Sequence, residues 1–463
     1  MKKIVECWKE KSIWEKIFPF ALLLVYSLYH KYYDLSFGDT PDFFATVLKR
    51  GINSEIFPED ANVFIAICNF TKYRYYHWSS RTVIELLLII VSAMPQIVWH
   101  ILDLLSVLLI GYSLSVLVDI KDELVKYLCI FTMILMYPVI QMSSAGWIAT
   151  TLNYSWVLAA GLYTLSIIKR IHCGVQISKV SYALGIVASI YAMNHEQMDV
   201  FMFLTIGVIL IMEVAEKCLK KSLIPFMVIN GVEIIYIATC PGNAERKIVE
   251  TEAYFTDYLN YNFLDKINLG FSTTMNSFFE SIDLMALVFF LLLAYLTLKS
   301  NEKAVYKVLS IVPISYYVIR FAFPNTRLLS SLKLSGLFSS CMEGKVSDIT
   351  EESWKALIMM TVIVISVVVS YFVLLKKSNN RLILLIAFLA AVATRIILGF
   401  SASVFMSDER TLIYLCFGFI FSSLHLVGLY EEELDILRKR GFQIFSCIFD
   451  IALIASNLKM LSV

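Results

Sequence analysis

Two carboxylates three residues apart, Asp39 and Asp42, stand in the motif Gly38-Asp39-Thr40-Pro41-Asp42-Phe43-Phe44. On a nascent helix that spacing puts both side chains on one face. One of them then suits a general base that removes a proton from an acceptor hydroxyl, while the other positions that hydroxyl or binds a metal. A structural role competes: Asp39 or Thr40 as N-cap, with Pro41 at the first helical position. Capping by one carboxylate leaves the other free for chemistry. Downstream, Tyr75, Tyr76, His77, Trp78 and Arg81 mix aromatic rings with cationic groups. The rings alone fit an interfacial belt. Arg81 opens an apolar segment, where a guanidinium fork can clamp a phosphate.

Three further groups stand out. Asn194-His195-Glu196-Gln197, with Asp199 just after, is a dense set of titratable groups for a turn between apolar runs. It is either a solvated turn or part of a pocket wall. Pro241-Gly242-Asn243 is a turn signal at a helix end, and Arg246 behind it is a second phosphate or sugar contact or a surface charge. Arg395 lies well inside an apolar run, and Arg320 in the outer part of another. An ionisable group at membrane depth needs a partner, here a lipid phosphate or an internal carboxylate such as Glu233 or Asp103. Snorkelling accounts for Arg320 more readily than for Arg395. Asp408-Glu409-Arg410 closes the end of the Arg395 run. His100, His172 and His425 are scattered and suggest no zinc site. No Gly-rich phosphate loop with Lys-Ser/Thr occurs, so nothing points to a cytosolic nucleotide, and no nucleic-acid partner is expected.

The elements that must position these residues are membrane helices. Hydrophobic residues make up 59% of 463, charged residues only 17%, and mean hydropathy is +0.73. A soluble domain carries about a quarter charged residues, and here apolar runs long enough to cross ~30 Å of hydrocarbon recur throughout. The expected fold is an all-α polytopic bundle of about 11–13 spans in one domain over 1–463. Its first outer loop covers 33–85, with amphipathic helices over 41–50 and 60–72; further outer loops cover 241–283 and 324–352. The apolar run over 81–94, interrupted by Pro95, reads as a half-helix. The nine cysteines include no Cys-x-x-Cys pair and read as apolar fillers. Lys2, Lys3, Lys9, Lys11 and Lys16 precede the first span, which predicts a cytoplasmic N-terminus and a signal-anchor role for that span. With that parity every inner connection carries Lys or Arg, and every motif-like cluster named above falls on the outer face, while His172 and His425 do not join them.

A basic N-terminus, one span, an outer loop with an acidic motif and a Trp78-x-x-Arg81 opening the next apolar segment together resemble the polytopic GT-C superfamily of glycosyltransferases. The likeness is nearest to bacterial members that decorate O-antigen, and Pro241-Gly242-Asn243 with Arg246 and His195-Glu196 are similar to further motifs there. The resemblance implies transfer of a sugar from a polyprenyl-phosphate donor to a glycan or lipid-linked acceptor, on the outer face of the cytoplasmic membrane. The base would be Asp39 or Asp42, which Thr40-Pro41 separates where the superfamily has a closer acidic pair. Trp78, Arg81, His195, Glu196, Asn243, Arg246, Arg395 and Arg410 would bind substrate. No cofactor is assigned, and a divalent metal stays open. A transporter or flippase of lipid-linked saccharides is the alternative from another class.

Overall fold

A computed structural model of the protein describes residues 12–36, 63–279, 281–322, 345–346, 350–407 and 409–462. Asp39, Asp42, the expected helix over 41–50 and most of the 324–352 loop lie outside the described residues. The rest is helical, with no strand among the described residues. In chain order the helices are α1 (Ile13–Tyr29), α2 (Val63–His77), α3 (Thr82–Ala93), α4 (Gln96–Leu117), α5 (Glu123–Leu135), α6 (Trp147–His172), α7 (Lys179–Met193), α8 (Glu196–Ala215) and α9 (Ile224–Thr239). They continue with α10 (Pro241–Tyr254), α11 (Phe263–Phe279), α12 (Leu284–Lys299), α13 (Ala304–Tyr317), α14 (Glu351–Leu374), α15 (Arg381–Ile396), α16 (Ile413–Leu429) and α17 (Arg440–Leu461).

Stretches built on α4, α6, α8, α9, α13, α14, α15, α16 and α17 are each long and apolar enough to cross a membrane: nine among the described residues, or ten if α11 and α12 form one broken span. The chain is an all-α polytopic bundle. The hydropathy count of about thirteen includes α1, α5 and α7, helices of 17, 13 and 15 residues, below the ~20 that a perpendicular crossing takes. The half-helix is α3, 12 residues long and so ~18 Å. Pro95 separates it from α4. Near the second of the helices expected in the first loop, over 60–72, stands α2, which runs on to His77 and does not segregate its apolar residues to one face. The 241–283 stretch, expected as a loop, is largely helical, made of α10, a 3₁₀ turn at Thr256–Asn260 and α11.

Hydrocarbon offers no partner for the free N–H and C=O groups at a helix end, so these ends are capped from within the chain. Asp122 accepts from Val125 N at 3.1 Å to start α5, and Ser178 from Ser181 N at 3.0 Å to start α7. Asn194 does the same for α3 from 110 residues away, its Oδ1 accepting from Val83 N at 3.0 Å and Ile84 N at 3.3 Å. Two polar ends result. At one, Lys169 donates to Val116 O, Leu117 O and Asp119, Glu213 pairs with His172 and Lys220, and Glu431 pairs with Arg438. At the other, where α4 and α6 begin, Trp99 Nε1 donates to Thr151 and Trp156 Nε1 to Asp103. We call these the lysine face and the site face.

Glycine sets the closest backbone approach. A Cβ on Gly399, in the 3₁₀ turn Ile397–Phe400 after α15, would lie 1.9 Å from Lys266 O, and one on Gly270 of α11 would lie 2.1 Å from Ile396 O. Neither obstacle is a side chain that can swing away. Gly399→Ala is therefore expected to destabilise the protein by about 1–3 kcal/mol, the usual cost of overpacking. Gly231→Ala on α9, where a Cβ meets nothing within 4 Å, is neutral or slightly stabilising because alanine is the better helix former. Thermal unfolding of the detergent-solubilised variants reads both.

Candidate functional site

The site is built on Ser80 and Arg81, the turn between α2 and α3. Arg81 Nε donates to Glu196 Oε2 at 2.8 Å, its Nη2 lies 2.7 Å from the same oxygen, and its Nη1 donates to Asn153 Oδ1 at 3.1 Å. The guanidinium also sits 5.9 Å from the Tyr154 ring centroid. Both Asn153 and Tyr154 belong to a π turn, Thr151–Ser155, inside α6. Burial opposes the Arg81 charge, and the Glu196 carboxylate more than offsets it, so the guanidinium is held above its ordinary pKa. Ser80 Oγ donates to Glu196 Oε1 and accepts from Asn243 Nδ2, each at 3.4 Å. Asn194 Nδ2 donates to Ser80 O at 3.4 Å and to Glu233 at 3.1 Å. Arg81, Glu196 and Asn243, three expected site residues far apart in sequence, therefore meet at one turn.

Trp78 stands beside them between two cations, with Arg74 and Arg246 5.4 and 5.7 Å from its ring centroid. The approach depends on Gly242: a Cβ there would lie 2.4 Å from Trp78 N. Arg74 is bidentate on Glu85 at 2.7 and 2.8 Å. Arg246 Nε donates to Glu250 at 2.7 Å.

His195 is fully buried. Its Nδ1 accepts from Gln197 N at 3.3 Å, which caps α8. Its Nε2 has no hydrogen-bond partner among the described residues, and its ring meets the Tyr154 and Tyr414 rings edge-on, 5.1 and 5.5 Å away between centroids. Burial, with Arg81 adding to it, pushes its pKa well below 6.5, so the ring is neutral. Gln197 ties this region to the Arg395 helix, donating to Thr394 O at 2.7 Å and Thr411 O at 3.3 Å. Arg395 is buried and donates to the Thr411 hydroxyl. The carboxylates suggested for it are engaged elsewhere, Glu233 by Asn194 and Asp103 by His30 and Trp156. Arg410 donates to Ser144 Oγ at 3.0 Å and has no carboxylate partner among the described residues.

All eight expected substrate contacts thus lie at the site face, and the Asp39–Asp42 pair lies outside the described residues. Sequence reading missed Asn153 and His30, named Asp103 only as a possible partner of Arg395, and took His100 as isolated. A signal was present for two of them, since His100 and Asp103 are three apart and share one face of α4. No three His, Cys, Asp or Glu side chains among the described residues come together as metal ligands. Behind His195 an apolar cavity with about 1060 Å³ of empty space, counting its open side, runs from Met198 and Tyr414 to Lys169, His172 and His425 at the lysine face. Comparison with protein-family models, curated proteins and solved structures finds no match to the chain.

Two expectations follow. Glu196→Gln leaves the mostly buried Arg81 charge without its counter-ion, which costs about 3–5 kcal/mol. The double variant Arg81→Gln/Glu196→Gln recovers part of that, and a double-mutant cycle on thermal unfolding measures the coupling. His195 stays neutral when folded but gains a proton below about pH 6.5 when unfolded. The stability it contributes is therefore complete above that pH and lost as pH falls, by up to ~1.4 kcal/mol per unit. His195→Gln should flatten the stability profile below pH 6.5 relative to wild type.

Proposed function

We propose that the protein transfers a sugar from a polyprenyl-phosphate donor to a glycan or lipid-linked acceptor, at the outer face of the cytoplasmic membrane. A first-loop aspartate, Asp39 or Asp42, serves as base: it takes the acceptor's hydroxyl proton while that oxygen attacks the anomeric carbon. The carbon–phosphate oxygen bond breaks with its electron pair, and the polyprenyl phosphate leaves. The observation that carries this reading is the gathering of Arg81, Arg246, Arg395 and Arg410 at one end of the bundle, opposite the lysine-rich connections. Guanidinium groups suit a phosphate that gains charge as it leaves. By the positive-inside bias, the lysine face is cytoplasmic and the arginine end is outside. Among these arginines Arg410 is the best placed to take the phosphate, because it is half-buried where Arg395 is buried, and among the described residues it meets the Ser144 and Tyr154 hydroxyls and no carboxylate. Arg81 is committed to Glu196 and Asn153, so it braces the site. The apolar cavity offers room for a lipid tail.

The cavity also favours a second reading, movement of a lipid-linked saccharide without chemistry, since it reaches from behind His195 to the lysine face. Purified protein in nanodiscs, given a polyprenyl-phosphate sugar and a mixed glycan acceptor, separates the two: a transferase releases the lipid carrier, and a flippase does not. Under the transfer reading, Asp39→Asn or Asp42→Asn lowers kcat by about 10²–10⁴, and Arg410→Gln weakens donor use at least tenfold with the fold intact. Full rates in both aspartate variants at normal membrane levels would remove the first-loop base.

A further inference from the structure

A second group of titratable side chains lies at the site face, apart from the Arg81 turn. His30 follows α1 in a 3₁₀ turn, His30–Tyr32, and His100 and Asp103 lie in the first two turns of α4. His30 Nε2 is 3.0 Å from Asp103 Oδ2, and His30 Nδ1 is 3.0 Å from His100 Nδ1. The other Asp103 oxygen accepts from Trp156 Nε1 at 2.7 Å. Asp103 and His30 are buried, and His100 is half-buried. His30 also stacks on Trp99, 5.4 Å between centroids, and Trp99 is pinned by Thr151 at 3.1 Å.

The order of partners dictates the protons. A carboxylate only accepts, so His30 Nε2 carries hydrogen and donates to Asp103. With both rings neutral, His30 Nδ1 is then a lone pair, and the contact at 3.0 Å requires His100 Nδ1 to donate to it. That leaves the lone pair of this half-buried residue, His100, on Nε2, which no other residue among those described engages. We propose that Asp103, His30 and His100 form a proton relay whose terminus, His100 Nε2, takes the proton of a substrate hydroxyl at the site face. Its place in sugar transfer rests on the reading above, where it competes with the first-loop aspartates for the acceptor's proton; the relay itself does not rest on that reading. In the step, the acceptor O–H bond breaks and its proton binds Nε2 of His100. The Nδ1 proton of His100 passes to Nδ1 of His30, and the resulting His30 imidazolium rests against the Asp103 carboxylate. The acceptor oxygen keeps the electron pair and attacks the anomeric carbon, and the phosphate leaves with the pair of the broken bond.

Among the described residues the other titratable groups around the relay are Tyr26, Tyr29 and Tyr33 of α1 and its continuation, with Tyr137 beyond Asp103, while α6 brings Trp147, Thr151, Ser155 and Trp156. None of the tyrosines is a stronger base than imidazole near neutrality, so the chain of protons ends at His100.

Diethyl pyrocarbonate acylates imidazole lone pairs, and mass spectrometry reads each histidine in the intact protein, with exposed His77 as internal reference. The expected result is that His100 is labelled, and that Asp103→Asn moves the midpoint of its labelling-versus-pH curve down by at least about one unit, because a carboxylate raises the proton affinity of the imidazole it serves. Thermal unfolding confirms that the compared variants are folded, and Asp103→Glu, which keeps the charge, should hold the midpoint near that of wild type. An unchanged midpoint in folded Asp103→Asn overturns the relay. With a polyprenyl-phosphate sugar as probe, His100→Gln should lower kcat at least 100-fold and abolish the acid limb of the rate profile, with KM for donor little changed. A wild-type rate and acid limb in His100→Gln overturn its role as base. If wild-type protein releases no carrier, the transfer reading has failed, and labelling alone decides the relay.

Discussion

A guanidinium and a carboxylate 2.7 Å apart, each largely withdrawn from solvent, fix the geometry of the site face. Taking two charges out of water costs several kcal/mol per ion, and their attraction offsets this only when the remaining hydrogen-bonding positions are also filled. They are filled here. Arg81 spends its third donor direction on Asn153, and Glu196 takes Ser80 on its second oxygen. The pair therefore joins the α2–α3 turn, the π turn of α6 and the start of α8. Its value lies less in net stability than in register: in this arrangement of the three segments both charges are satisfied.

The π turn is where two polar systems meet. An ordinary helix across Thr151–Ser155 would present its side chains at 100° steps. The wider turn instead aims Thr151 at Trp99, Asn153 at Arg81, and Trp156, just beyond it, at Asp103. Single-turn π bulges are costly and concentrate at functional sites. In this chain the bulge places the arginine turn and the histidine relay against one short segment of α6. Tyr33 stacked on Trp147 at 3.6 Å closes the same region from the α1 side.

Much of this was legible in the residues. Apolar runs longer than a bilayer is thick produced the spans, and Lys and Arg in alternate connections produced the two faces. Trp78-x-x-Arg81, His195-Glu196 and Asn243 with Arg246 stood out because charge density in an apolar chain is costly and needs a reason. Their meeting at one turn was not readable, since Arg81 and Glu196 lie 115 positions apart. The 241–283 segment reads as a loop because its polar residues break the hydropathy signal, but α10 has its own Pro241 start and packs Gly242 under Trp78. The grouping of His30 with His100 and Asp103 stayed hidden for another reason: His100 and Asp103 share a face of α4, but only the packing of the end of α1 on α4 brings His30 to them.

What a buried or half-buried cation can do depends on what already occupies it. Arg74, Arg81 and Arg246 each hold a carboxylate at 2.7 Å, and an incoming phosphate would have to displace a charge-assisted hydrogen bond to gain a similar one. Such an exchange changes little in energy, so these three arginines contribute field and shape more than affinity. Among the described residues Arg410 meets hydroxyls, those of Ser144 and Tyr154, and a phosphate there gains a charged partner at small cost. The same logic separates the histidines. His172 is spent on Glu213, and His195 is sealed behind two tyrosines. His100 alone combines an organised chain of donors behind it with a half-buried outer edge. Availability, set by partners already in place, is what ranks these groups, and it falls to Arg410 and His100.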